Sequence, residues 1–245
     1  MIDEGQMIPY STTDLPVAEG PWLVFAPHAD DESFGMGGTL CKASDAGIAV
    51  HLVVMTDGAL GGQQFDLVQT RQQEARNAAA ALGIREVTFV GQPDRGLQVS
   101  DAVIAMLLPL FAASKPEAVF FPGVMELHPD HRSCALIVWE ALKTAQAQGI
   151  TAVSYEISMQ SPINCLVDIT SVMERKQQAM AVYLSQLGQN NYVEIVKALN
   201  RLRTLTLGPE VLWAEGFYRY SEAELAGTLS DWAVGKVRLP LGCDF

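Results

Sequence analysis

Two short stretches hold three of the four histidines in this 245-residue chain: Pro27-His28-Ala29-Asp30-Asp31-Glu32 and His128-Pro129-Asp130-His131. Imidazoles and carboxylates at such spacing are metal donors. A hydrolytic zinc centre takes three protein ligands from His and carboxylate side chains and leaves one position for water. His28, Asp31 and His131 supply that set, with Asp30 and His128 left beside it. Such an ion brings the pKa of its water to about 7. Asp30 can then take the proton, while His128 stabilises the developing oxyanion or protonates a leaving amine. Asp130 is expected behind the ligands, fixing a histidine's tautomer and orientation. Zinc is the expected ion, with another divalent metal as the alternative.

A simpler reading has Asp30, Asp31 or Ser33 cap the following helix. One cap needs one side chain, however, and four polar groups compete here beside a core strand, where unpaired carboxylates are costly. An HxxH pair alone is weak evidence; a partner block at a matching strand end makes it strong.

The elements that must position these groups follow from the apolar pattern. Trp22–Ala26 is apolar throughout, as in a strand buried on both faces, and Pro27 ends its ladder. Ala49–Met55, Glu86–Val90, Ala118–Phe121 and Thr151–Ile157 read as further strands. Between them Gly38–Ala46, Asp66–Leu82, Val99–Ala113 and Pro129–Gln148 read as helices. The alternation predicts an α/β fold with a mostly parallel sheet covered on both faces. Both motifs then lie at carboxyl ends of strands, the edge where open α/β sheets bind ligands. His51 begins its strand at the opposite edge and reads as structural. Beyond Ser161, a strand at Ile163–Val167 and a long helical stretch from Ser171 towards Leu207 are expected. A Ser171/Glu174 capping box opens that stretch, and Gly188 with Gln189-Asn190-Asn191 breaks it. The aromatic tail from Pro209 offers either core packing or an oligomer interface through Trp213, Phe217, Tyr218, Tyr220 and Trp232.

Composition narrows the function. With 49% hydrophobic and 18% charged residues the chain has ample core. We expect one domain over residues 1–245, with a core at about 20–160 and a helical elaboration at about 161–245. A net charge of -12 speaks against a nucleic-acid partner, which calls for a basic face. Cys41, Cys134, Cys165 and Cys243 stand singly, without disulfide or zinc-knuckle spacing, and fit a reducing cytoplasm. No run is long enough to span a bilayer, and the first twenty residues lack the pattern of a signal peptide.

With these residues in view, the sequence resembles the PIG-L / LmbE-like family of zinc-dependent N-acetylglucosaminyl deacetylases, whose signatures are a PHPDDE block and an HPDH-like block. Similarity extends over most of residues 20–220: Thr56-Asp57-Gly58, Arg71 and Glu74, Ala81-Leu82-Gly83, Pro93–Leu97 (PDRGL), and the later YLSQL and AEGF. The resemblance implies a Rossmann-like three-layer sandwich, zinc on His28, Asp31 and His131, Asp30 as general base and His128 as acid or oxyanion partner. It also implies Arg71 and Asp94 as contacts to sugar hydroxyls or an attached group, and an N-acetylated amino sugar or its glycoconjugate as substrate. Two departures stand out. Ala29 replaces the usual proline without removing a functional group. Glu126 falls in Gly123–Leu127, a segment that supplies substrate-facing groups in some relatives.

Other classes fare less well. Glycines 35, 37 and 38 do not make a dinucleotide fingerprint, because position 40 is Leu40, and they follow acids that would repel a pyrophosphate. A metal- or sugar-binding module would not need Asp30. Another amidase or an esterase is the nearer rival, since the same water attacks any accessible acyl carbon.

Overall fold

The structure is a computed structural model that describes residues 11–63, 65–145 and 149–238. Cys243 and the end of the helix read to Gln148 lie outside the described residues. In chain order the strands are β1 (Ser11–Thr13), β2 (Trp22–Ala26), β3 (Val50–Thr56), β4 (Glu86–Gln92), β5 (Ala118–Pro122), β6 (Thr151–Tyr155), β7 (Cys165–Asp168) and β8 (Ala214–Arg219). The helices are α1 (Asp31–Asp45), α2 (Leu67–Leu82), α3 (Asp101–Ser114), α4 (Pro129–Thr144), α5 (Met173–Met180), α6 (Leu184–Leu187), α7 (Tyr192–Leu202), α8 (Glu222–Leu225) and α9 (Leu229–Arg238).

All eight strands form one sheet in the order β1-β7-β8-β6-β5-β2-β3-β4. β2 to β6 run parallel, and β8 is antiparallel to both β6 and β7. Side chains alternate across β2: Trp22, Val24 and Ala26 pack with α1, α2 and α5, while Leu23 and Phe25 pack with α3 and α4. The result is the expected three-layer α/β sandwich with a mostly parallel sheet. β3 and β5 flank β2 on opposite sides, so the strand order reverses between β2 and β5, and a crevice opens there beyond their carboxyl ends.

Three expectations need correction. The first helix begins at Asp31 rather than Gly38, because glycines 35 and 38 serve close packing instead of ending the helix. A Cβ at Gly35 would lie 2.5 Å from the Tyr155 ring and 2.7 Å from the Glu156 carbonyl, and one at Gly38 would lie 2.7 Å from Ile169. Second, the stretch from Ser171 divides into a 3₁₀ turn at Thr170–Val172 and helices α5, α6 and α7. Ser171 and Glu174 form no box, since Ser171 lies inside the 3₁₀ turn and the N-cap of α5 is Val172, which has no side-chain cap. A capping box does form at Ser221 and Glu224. Third, the strand expected at Ile163–Val167 forms as β7, but a further, unexpected strand, β8, follows the helices and joins the main sheet. The tail aromatics Phe217, Tyr218 and Tyr220 are buried, and Tyr220 stacks on Phe121 at 5.8 Å between centroids. These three pack the core, while Trp213 and Trp232 are partly buried against it.

β8 escaped sequence reading because Glu215 interrupts its apolar pattern. Glu215 is fully buried and meets Lys176 Nζ at 2.7 Å, and it also accepts from the amides of Gly38 and Thr39 at 2.9 and 2.8 Å. Lys176 donates as well to Asn200 Oδ1 at 2.9 Å. One ion pair thus joins α1, α5, α7 and β8. Glu215→Ala strands a buried ammonium and two amides, and should cost about 3–5 kcal/mol in urea unfolding; a loss below about 1 kcal/mol would contradict this role.

Candidate metal centre

The turn after β2 is built around one carboxylate. Asp31 Oδ2 accepts from the His28 amide at 2.8 Å, which folds His28 back over the start of α1. Between them Asp30 has φ 142° and ψ -28°, a backbone conformation that L-residues rarely adopt, and its side chain makes no capping hydrogen bond. The capping reading therefore fails for Asp30. Strain of this kind persists only where the surroundings fix it, and it gathers at functional sites.

The second block descends from β5. His128 is the N-cap of α4 and its Nδ1 accepts from the Asp130 amide at 3.1 Å, while Pro129 occupies the first turn, where its missing N–H costs nothing. α4 then delivers Asp130 and His131 to the crevice.

Asp31 Oδ2 lies 3.1 Å from His28 Nδ1 and 3.3 Å from His131 Nε2. Each imidazole turns its other nitrogen to a different carboxylate. His28 Nε2 is 3.2 Å from Asp130 Oδ2 and 3.3 Å from Asp94 Oδ1. His131 Nδ1 is 3.5 Å from Glu126 Oε2, without hydrogen-bond geometry, so this buried atom has no hydrogen-bond partner. The His28 ring lies 4.7 Å from that of His128 and 5.4 Å from that of His131. His51, by contrast, sits at the amino end of β3 and meets Thr88 Oγ1 at 2.8 Å.

The electrostatics separate two adjacent acids. Burial alone would raise the pKa of Asp31, but His131 and His28 hold it well below the usual carboxylate range. Burial pushes Asp30 up to about 7, with Arg71 opposing and Asp31 reinforcing. Environments that drive neighbouring carboxyls apart in this way assign them different roles. Burial disfavours the charged form of His131, yet Asp31 and Glu126 carry it to about 9. Burial, then the charges of His28 and His131, lower His128.

A divalent cation fits this donor set. Asp30, Asp31, Asp94, Glu126 and Asp130 are all buried, and the buried cation beside them is Arg71, helped only by imidazoles. Buried charge of one sign calls for a counter-ion. Among the described residues, two sets bring one donor atom each within 4.8 Å of one another, His28, His128 and His131, and His28, Asp94 and Asp130; the expected set of His28, Asp31 and His131 is not one of them.

Arg71 and Asp94 are drawn inward. Arg71 Nη2 donates to the Ala29 carbonyl at 3.0 Å and lies 3.4 Å from Asp30 Oδ1. Asp94 accepts from the Leu60 amide at 3.0 Å and faces His28. Asp130 stands behind His28 and ties the PDRGL turn to it, accepting from the amides of Arg95 at 2.7 Å and Leu97 at 3.3 Å. Sequence reasoning missed the support from the YLSQL segment: Tyr183 donates to Glu32 at 2.5 Å, Ser185 to Glu74 at 2.6 Å and Gln186 to the Gly61 carbonyl at 3.2 Å. It also missed Glu126 behind His131. The only cue was a carboxylate five positions ahead of the histidine.

The sequence pattern of the family described as PIG-L, GlcNAc-PI de-N-acetylase, matches residues 23–142, which carry both motifs. Over these residues the chain is similar to the PIG-L family. Its relatives include the diacetylchitobiose deacetylase of Thermococcus kodakarensis, 28% identical over 190 residues, covering 69% of this chain and 70% of the relative. The Bacillus subtilis protein named "Probable N-acetyl-alpha-D-glucosaminyl L-malate deacetylase 2" is 27% identical over 184 residues, covering 67% and 82%. The crystal structure of N,N'-diacetylchitobiose deacetylase from Pyrococcus horikoshii, complexed with an inhibitor, superposes with a TM-score of 0.74 at 26% identity, covering 88% of this chain and 89% of that one. No helix among the described residues is long and apolar enough to cross a membrane.

Arg71 is the cation beside Asp30, so Arg71→Leu should destabilise the folded protein by about 2 kcal/mol in chemical denaturation. In an Asp30→Asn background the same change should cost less than half as much, since no carboxylate is left unpaired. An equal loss in both backgrounds would show that Arg71 acts through packing instead.

Proposed function

We propose that this protein is a divalent-metal hydrolase, with zinc as the ion, that removes the acetyl group from an N-acetylated amino sugar or its glycoconjugate. The observation that carries the reading is Asp31 Oδ2 set between His28 Nδ1 and His131 Nε2, with a second, strained and buried carboxylate, Asp30, held apart from it. His28, Asp31 and His131 would hold the ion. When bound, such an ion polarises an acyl carbonyl and acidifies water. The amino-sugar substrate rests on the names of the relatives.

The chain's own groups divide the proton work. Asp30 takes the proton of the attacking water at the carboxylate oxygen that Arg71 does not face, as a base tuned near neutrality does best. His128 Nδ1 accepts from the Asp130 amide, so its neutral ring carries its proton on Nε2. That N–H is a donor for the oxyanion of the tetrahedral intermediate. Asp30 then returns its proton to the departing amine, giving acetate and the free amino sugar. Asp130 and Asp94 keep His28 oriented throughout. We also read the C-terminal third as part of the same domain, because β8 lies between β6 and β7 in the one sheet.

The test is acetate release by zinc-loaded protein from N-acetylglucosamine and its glycosides, oligosaccharides, and nucleotide-, inositol- and malate-linked forms, beside a chelated control. Release from at least one member, lost on chelation, is expected. Asp30→Asn should keep stoichiometric zinc and lose about 10²-fold or more in kcat, whereas His131→Ala should lose the metal itself. Metal-loaded Asp30→Asn turning over near the wild-type rate would remove the base assignment. Absence of release from every member would remove the amino-sugar reading.

A further inference from the structure

We infer that Glu126 is the positioning residue for His131, fixing which of its ring nitrogens faces the metal site. The inference rests on the metal reading above. Glu126 is 1% exposed, and its carboxylate is fixed by the chain that follows β6. Oε1 accepts from the amides of Ile157 at 2.8 Å and Ser158 at 3.2 Å, and Oε2 accepts from the Ser158 amide at 3.1 Å and from the Ser158 hydroxyl. Held in this way, Oε2 stands 3.5 Å from His131 Nδ1.

A carboxylate can only accept. Facing His131 Nδ1, it favours the tautomer with the proton on that nitrogen, which leaves the lone pair on Nε2, 3.3 Å from Asp31 Oδ2. Asp130 does the same for His28 from the other side. The two ligand histidines are thus backed by two carboxylates of one segment, Glu126 in the connection after β5 and Asp130 in the first turn of α4, and carboxylate support of this kind sets ligand orientation and basicity. A purely structural Glu126 would only tie its own loop to Ile157 and Ser158.

Glu126→Gln separates the two roles. Its carbonyl can keep the Ile157 and Ser158 amides, which turns its NH₂ group towards His131 Nδ1 and favours the proton on Nε2, the wrong nitrogen for ligation. Zinc affinity, measured by competition with a chromophoric chelator, should fall about 10–100-fold, and the visible absorption of the cobalt-loaded protein should shift. Ser158→Ala is the second variant: it keeps the carboxylate but removes one anchor, and should weaken zinc binding about threefold. If wild type and Glu126→Gln bind zinc within twofold of each other, the positioning role is overturned while the metal reading stands. Should Glu126→Gln fail to fold, unchanged affinity in Ser158→Ala overturns it instead. Wild-type protein that takes up no metal overturns the metal reading, and this inference with it.

Discussion

The structure is organised by the burial of several carboxylates at one end of a parallel sheet. Asp30, Asp31, Asp94, Glu126 and Asp130 converge where β2 and β5 end, with one guanidinium and three imidazoles to balance them. Left unpaired, such groups would cost more than any other feature of the fold. The chain answers with a specific partner for each. Asp31 sits between two histidines, Asp130 and Asp94 back one of them, and Glu126 backs the other. Asp30 has only Arg71, and so keeps the raised pKa that suits a base.

The scaffold exists to hold these groups at fixed distances. β2 and β5 are parallel neighbours, with Trp22 opposite Ala118 and Val24 opposite Phe120, which brings the two motifs to a common edge. α1 must approach the sheet closely for Asp31 to reach both histidines, and glycines 35 and 38 make that approach possible. The Lys176–Glu215 pair then locks α1 from behind through the amides of Gly38 and Thr39. Burying that ion pair costs solvation, and its return is a fixed position for the helix that begins with Asp31.

Much of this was legible in the sequence because it is local. The apolar run Trp22–Ala26 followed by Pro27 announces a central strand, and two His/Asp blocks at strand ends announce a ligand edge. What was not legible depends on distant partners. β8 is hidden because Glu215 looks like a surface acid until Lys176 and Asn200 are seen around it. Ser171 and Glu174 have the spacing of a capping box, but the chain makes a 3₁₀ turn over Thr170–Val172 and the helix starts one residue later than the box requires. Glu126 stands out in the sequence only as a departure in a substrate-facing segment and not as the support of His131, since Ile157 and Ser158, which hold it, lie some thirty residues away. Arg71 and Asp94 were visible as functional candidates, yet only the fold shows that they face Asp30 and His28.

The donor set is the central claim, and one measurement addresses it directly: an anomalous difference map from crystals soaked with zinc, collected at the zinc edge. The account predicts a single strong peak bounded by His28 Nδ1, Asp31 and His131 Nε2, with Asp30 outside its bonding distance. A peak among His28, Asp94 and Asp130, or no peak in the crevice between β2 and β5, would contradict it.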